Sequence, residues 1–145
     1  MKVIFFLLMP VFGIAQCKTI NAIYSLSSGY QNGFTISVEG GFWQVDKPFQ
    51  ASAGFMAYNV EKSETVNGKT EIYKEPIIDP FIRAGMKLMS KDKIVIVTSG
   101  FASLRGVVGL TGRFFYQIGP KTLAGIQLGE SNKGIIAKAD FVFAF

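Results

Sequence analysis

The chain has 145 residues, of which 49% are hydrophobic and 17% charged, and its formal net charge is +5. That length suits one domain, and the composition is too apolar for a disordered chain and unusually apolar for a soluble one. The basic residues are scattered singly rather than clustered, so the sequence predicts no nucleic-acid partner. The single Cys cannot form an intramolecular disulfide.

The first segment, MKVIFFLLMPVFGIAQC, has the pattern of a secretory signal peptide. Lys2 is a short basic start, the apolar run 3–14 is too short to span a bilayer, and Gly13 and Ala15 suit a signal peptidase. We therefore predict a signal peptide at 1–16 and an exported barrel domain at 17–145, with the mature N-terminus within 15–17. Two alternatives stay open: an N-terminal core strand, and a lipoprotein signal at Cys17, which Gln16 fits poorly.

After residue 17 the apolar residues follow a period of two, which is typical of β-strands. The pattern predicts neither an amphipathic helix nor a transmembrane helix. Turn residues divide the chain into eight segments. These segments are 19–30, 34–44, 49–66, 69–90, 93–104, 107–118, 122–130 and 134–145.

Six of these segments separate into an apolar and a polar face. In the second segment, for example, Ile36 and Val38 share the apolar face, whereas Ser37 shares the polar one. The apolar faces carry no charge over a membrane-length stretch. The charged residues on the polar faces are Glu39, Arg83, Lys87, Arg113, Lys138 and Asp140. The fifth segment is ambiguous, with apolar residues on both faces, and the seventh is weak.

The turns provide an independent test of these faces, because turn length determines which strand faces match. Asn67-Gly68 is a strong signal for a two-residue hairpin turn. A three-residue loop at 31–33, with its glycine in the left-handed region, joins the first two segments. In both hairpins, faces of the same polarity then lie side by side. The predicted partners are Val66 with Lys69, Ser52 with Arg83, Tyr30 with Phe34 and Leu26 with Val38.

A sheet of this kind can close with its apolar face inward, as in a lipocalin, or outward to lipid. The uncharged apolar faces, the segment lengths near 9–11 residues and the alternating connections favour lipid. Short connections are predicted at 45–48, 90–93 and 119–121, and the long 59–80 stretch lies at the other end. The predicted fold class is an all-β, eight-stranded, antiparallel, up-and-down transmembrane β-barrel. Aromatic girdles are expected at both rims, formed by Phe42, Phe49, Tyr116 and Phe145 at one end and by Tyr30 and Phe34 at the other.

The chain ends on ADFVFAF, with Phe141, Phe143 and Phe145 at every second position. In architecture it resembles the small eight-stranded outer-membrane barrels of the OmpA/OmpX kind, and its GIAQ region resembles exported proteins of the Bacteroidetes group. The resemblance implies an outer-membrane location, contact with outer-membrane lipid, and a terminal assembly signal read by the barrel-assembly machinery. It departs from that resemblance in being short, and we expect no periplasmic peptidoglycan-binding domain beside the barrel.

The sequence contains no His, which excludes a Ser-His-Asp triad and His-containing zinc sites. Enzymes among the outer-membrane barrels resemble one another in using a His. We therefore predict a non-enzymatic barrel without catalytic, metal or cofactor-binding residues. Glu39 and Asp140 are expected to pair with interior Arg and Lys.

The charged hairpin at 59–80, which turns at Asn67 and Gly68, is predicted to protrude. It serves either as a contact surface for an extracellular partner or only as a solvated hairpin. The predicted role of the protein is structural or surface interaction. A narrow channel for small solutes and a soluble lipocalin-like ligand-binding barrel stay as alternatives. The inward glycines Gly41, Gly54, Gly85 and Gly109 keep the channel alternative open.

Overall fold

The computed structural model describes residues 20–31, 33–44 and 48–144, which form an all-β closed barrel. Each strand pairs antiparallel with the next, and β1 pairs with β8 to close the sheet. The strands are β1 Ile20–Gln31, β2 Phe34–Gln44, β3 Phe49–Val66, β4 Lys69–Lys91, β5 Ile94–Ser103, β6 Val108–Gly119, β7 Thr122–Ser131 and β8 Gly134–Ala144. The described residues include no helix long and apolar enough to cross a membrane. The predicted signal peptide at 1–16 and Phe145 lie outside the described residues.

The predicted strand registers are confirmed in both hairpins. Val66 pairs with Lys69 across the β3–β4 turn, and Leu26 pairs with Val38 between β1 and β2. In the β3–β4 turn, Asn67 has a φ of 51° and the following glycine a φ of 76°. Two consecutive positive φ angles are what a tight hairpin turn requires, and Asn-Gly adopts them at low cost.

The barrel turns most of its polar side chains inward, together with some apolar ones, and its outward side chains along the strands are mainly apolar. On β2, Thr35, Ser37 and Glu39 are buried, whereas Ile36 and Val38 are exposed. The other strands alternate in the same sense. The ambiguous fifth strand is resolved by its neighbours: a register shift between Lys87 and Met89 in β4 accompanies pairing that turns Val97 and Ser99 inward.

Inward glycines lie where the backbones of neighbouring strands approach closely. A Cβ added to Gly54 would lie 2.1 Å from the Val38 carbonyl oxygen, and one added to Gly125 would lie 2.0 Å from that of Phe114. Gly41, Gly85 and Gly109 are in comparable contact with an adjacent strand. The missing side chains therefore accommodate the tight curvature of the sheet, and the space beside them is filled by backbone.

Strands β3 and β4 extend beyond the barrel as a two-stranded arm, which we define as residues 59–80. The pairing of β2 with β3 reaches Tyr58, and that of β5 with β4 reaches Phe81, so the arm strands pair only with each other. The remaining described connections are short at both ends of the barrel. The long stretch predicted at 59–80 is the arm, because β3 and β4 continue as paired strands up to their turn.

Candidate functional site

The barrel interior is arranged in three layers along the strands. An upper apolar layer lies toward the arm and a lower apolar layer toward the opposite end. The middle layer lies between them and includes Arg83, Arg113 and Asp140. Along β4, β6 and β8, each of these residues is next but one to a member of an apolar layer. The upper layer consists of Met56, Phe81, Phe101, Val107 and Ile136. The lower layer consists of Ile23, Val97, Phe115 and Val142.

The middle layer is a charged cluster centred on Arg113, which reaches from β6 to carboxylates on β2 and β8. Its Nε donates to Asp140 Oδ2 at 2.7 Å, and its Nη2 lies 2.6 Å from the same oxygen. Nη2 also donates to Glu39 Oε1 and, at 2.9 Å, to Ser25 Oγ. Arg113 is 1% exposed, Asp140 0% and Glu39 4%. One guanidinium on β6 therefore contacts side chains of three other strands, β1, β2 and β8, inside the barrel.

Arg83 completes the cluster from β4. Its Nε lies 3.1 Å from Glu39 Oε2, and Ser52 Oγ donates to that same oxygen at 3.1 Å. Ser25 Oγ donates to Asp140 Oδ1 at 2.6 Å. Both carboxylates thus have charged and neutral donors, as buried charges require.

Aromatic rings of the two apolar layers cover the guanidinium groups. The Arg83 guanidinium carbon lies 5.6 Å from the Phe81 ring centroid and 5.7 Å from that of Phe101. The Arg113 guanidinium carbon lies 5.4 Å from the Phe115 ring centroid. These distances allow cation–π attraction. The charged layer is therefore enclosed from both ends.

The two lysines of the predicted interior network lie apart from these ion pairs. Lys138 is buried on β8, and Lys87 is half-buried on β4. Among the described residues, neither ammonium has a carboxylate within 4.0 Å. Glu39, Arg83, Arg113 and Asp140 are brought together as one cluster, and Lys138 adds positive charge beside it.

Asp79 is a buried carboxylate that the sequence interpretation missed. It accepts hydrogen bonds from Tyr58 Oη at 3.1 Å, from Ser103 Oγ at 2.6 Å and from the Arg105 backbone N–H at 3.1 Å. The sequence placed it only within the exposed 59–80 hairpin. The register set by the Asn67-Gly68 turn pairs Asp79 with Met56, which faces inward, and this pairing is the signal that could have identified it.

The outward face carries aromatic residues at both rims. Tyr30 and Phe34 are exposed near the arm end, and Phe49 and Tyr116 near the opposite end. The Phe42 and Phe49 ring centroids are 6.4 Å apart. Inside the lumen, Met56, Phe115, Arg83 and Arg113 are buried and Tyr58 is partly buried. The Trp43 side chain lies outside the described residues.

Comparison with protein-family models, with curated proteins and with solved structures finds no match to this chain. Within the described part of the chain, no group of three or more His, Cys, Asp and Glu side chains is placed to hold a metal ion. The class that the fold defines is the closed, eight-stranded antiparallel β-barrel with a charged interior.

Proposed function

We propose that this chain is a non-enzymatic β-barrel of a bacterial outer membrane, with a closed lumen and an arm that contacts a partner outside the cell. The observation that carries the proposal is the polarity of the sheet. Buried Arg113, Glu39 and Asp140 lie inside, whereas Leu110 and Ile82 on the outside are 71% and 66% exposed. A water-soluble protein rarely exposes a continuous apolar belt, whereas a membrane barrel requires one.

The height of the apolar belt supports the same location. Its outward residues on β2 run from Phe34 to Phe42. At about 3.3 Å per residue this segment is about 26 Å long, and a strand tilt of about 40° reduces its height to about 20 Å. That height is close to the apolar band of about 25 Å that outer-membrane barrels present to lipid. The aromatic residues at both rims of the belt fit interfacial girdles.

A soluble ligand-binding barrel is less well supported, because its interior should be apolar. Here the interior holds two buried arginines and three buried carboxylates beside two apolar layers, and large apolar residues also cover the outside. In water, this arrangement would carry the cost of charge burial and would leave the outer apolar belt exposed.

A conducting channel is also less well supported. The charged layer is closed above by Phe81 and Phe101 and below by Phe115. The inward glycines contact neighbouring backbone and leave no lumen of their own. Recordings of the refolded protein in planar bilayers are expected to give no reproducible openings, and reproducible openings would favour the channel.

The arm supports an interaction role. Its strands have free outer edges whose backbone groups can pair with an added strand. Ile72 and Tyr73 are exposed on it, and ion pairs join Lys62 to Glu75 and Lys74 to Glu61. The alternative is a solvated hairpin, in which Pro76 and Pro80 make the free edge of β4 less suitable for pairing.

We extend this proposal to the family of the protein and to the assembly of the barrel in the membrane. The architecture fits the OmpA/OmpX-like barrels and an origin in the Bacteroidetes group, with export by the segment at 1–16. Phe141 and Phe143 are exposed on the outside of β8, where a barrel-assembly machinery can contact them. Phe145, the last residue of the proposed signal, lies outside the described residues.

Fractionation of cells that express the full chain tests the proposed location. We expect the protein in the outer-membrane fraction, resistant to alkaline carbonate extraction, and with a gel mobility that changes on boiling. A folded membrane barrel keeps its hydrogen-bonded sheet in detergent until it is heated, and this causes the change in mobility. Recovery in the periplasm without detergent would exclude the membrane proposal.

A further inference from the structure

A cavity of about 320 Å³ opens at the arm end of the barrel, and we call it the arm-end cavity. Its lining includes Met56 and Val107, which belong to the upper apolar layer and form its floor. The base of the arm contributes Val60 and Ile77 to its walls. The cavity is therefore a blind pocket of a size at the lower end of small-molecule sites.

Every charged side chain among the described lining residues is basic. Lys62 comes from β3, Arg105 from the β5–β6 turn and Lys133 from the β7–β8 turn, so three separate elements direct positive charge toward one cavity. Lys62 is paired with Glu75, which raises the pKa of the Lys62 ammonium through a hydrogen bond and charge attraction. Arg105 and Lys133 have no carboxylate within 4.0 Å among the described residues.

A buried polar side chain also lines the cavity. Gln31 is only 5% exposed, and its side-chain amide can both donate and accept hydrogen bonds. Tyr58 lines the same cavity and donates its hydroxyl proton to Asp79, which leaves the hydroxyl oxygen able to accept a hydrogen bond.

We propose that the arm-end cavity binds a small organic anion, a phosphate ester or carboxylate attached to an apolar or aromatic group. Arg105 and Lys133 hold the anion, because a guanidinium can donate two parallel hydrogen bonds to a phosphate or carboxylate. Gln31 hydrogen-bonds a neighbouring oxygen of the ligand. The apolar part contacts Val60 and Ile77. This site goes beyond the proposed membrane function and does not depend on it.

Binding to the full chain, refolded in a non-ionic detergent, tests the proposal by titration calorimetry. Phenyl phosphate represents a free solute, dihexanoyl phosphatidic acid represents a lipid headgroup, and phenyltrimethylammonium is the cation of matched shape. We expect saturable binding of at least one phosphate probe that weakens with added salt, and no binding of the cation. If phenyl phosphate binds more tightly, the ligand is assigned to the free solutes. If dihexanoyl phosphatidic acid binds more tightly, the ligand is assigned to the lipid headgroups.

Arg105→Gln and Lys133→Gln are each expected to weaken phosphate binding about tenfold. Gln31→Leu, which removes the amide that lines the cavity, is expected to weaken it severalfold. Lys69→Gln at the tip of the arm removes the same charge away from the cavity and should leave binding unchanged.

Boiling-dependent gel mobility establishes that each variant is folded, and the two charge variants substitute for each other if one does not fold. The proposal is overturned if neither phosphate binds at about 10 mM, if the cation binds equally well, or if the folded charge variants bind like the native protein.

Discussion

At the scale of single residues, Arg113 is the side chain on which the barrel interior is organised. It lies on β6 and contacts carboxylates of β2 and β8, so it connects parts of the sheet that share no backbone hydrogen bonds. A buried ion pair is not in itself strong evidence for stability, because desolvation offsets much of the attraction. Removal of one partner is different, since it leaves a buried charge uncompensated.

Replacement of Arg113 by Met is therefore expected to lower the free energy of unfolding by about 3–5 kcal/mol. Asp140 would lose its ion-pair partner, whereas Glu39 would keep Arg83. Unfolding of the protein in lipid vesicles by guanidinium chloride measures the change in free energy. Adding Asp140→Asn to Arg113→Met should recover part of the loss, because the neutral amide can still accept from Ser25.

The matched surface substitution is Lys74→Met in the arm, whose ion pair with Glu61 is 3.8 Å long and exposed. This variant should change the free energy of unfolding by less than about 1 kcal/mol. If Arg113→Met were as mild as Lys74→Met, the charged cluster would make no net contribution to stability.

Two glycines allow a second test at the residue scale. Gly125 faces inward on β7, where an added Cβ would meet the Phe114 carbonyl oxygen at 2.0 Å. Gly112 faces outward on β6, where the nearest atom would be a Phe114 ring carbon at 3.5 Å. Gly125→Ala is expected to lower the free energy of unfolding by about 1–3 kcal/mol, because the rigid backbone of β6 must move. Gly112→Ala should be nearly neutral in the same unfolding measurement. Equal stability of the two variants would contradict the role assigned to the inward glycines.

At the scale of elements, the arm is the part of the sheet with the fewest ties to the barrel. Beyond Tyr58 and before Phe81 its strands form a sheet ladder only with each other. The ties to the barrel are at its base, where Asp79 and Pro80 accept hydrogen bonds from the β5–β6 region. The residues from 61 to 74 are all exposed, and their Glu and Lys side chains keep it solvated. The arm can therefore present a surface without contributing much to the stability of the barrel.

Replacement of residues 61–74 by Asn-Gly should leave a folded barrel. The pairing of Val60 with Glu75 would be kept, and the new two-residue turn would take the place of the native one. We expect the midpoint of unfolding and the boiling-dependent gel mobility to be unchanged within error. A variant that no longer folds would show that the arm participates in barrel assembly, and the arm could then no longer be regarded as a surface element alone.

At the scale of the whole molecule, the sheet is apolar outside and charged inside. Val38 lies on this outer belt, midway along β2 between Phe34 and Phe42. If the belt contacts lipid, Val38→Arg should lower the free energy of unfolding in vesicles by about 2–4 kcal/mol. Ile72→Arg is the matched control, because Ile72 is exposed on the arm and remains in water. A belt that contacts water would instead tolerate both substitutions equally.

Much of the fold could be predicted because each hairpin is determined locally. Alternation separates Val38 from Glu39 onto opposite faces, and Asn67-Gly68 determines a register that reaches the pairing of Ser52 with Arg83. The fifth strand could not be assigned in the same way, since Ile96 and Val97 are equally apolar. Its orientation depends on the register shift in β4 and on pairing with β6.

The candidate site was predictable in composition but not in geometry. The sequence by itself determined that Glu39, Arg83, Arg113 and Asp140 share the polar face, because strand side chains alternate with a period of two. Only the tertiary structure decided that Arg113 bridges the two carboxylates while Lys138 stays outside the ion pairs, since those contacts cross the closed barrel. The arm-end cavity likewise exists only after closure, which brings Arg105 and Lys133 from separate turns to one mouth.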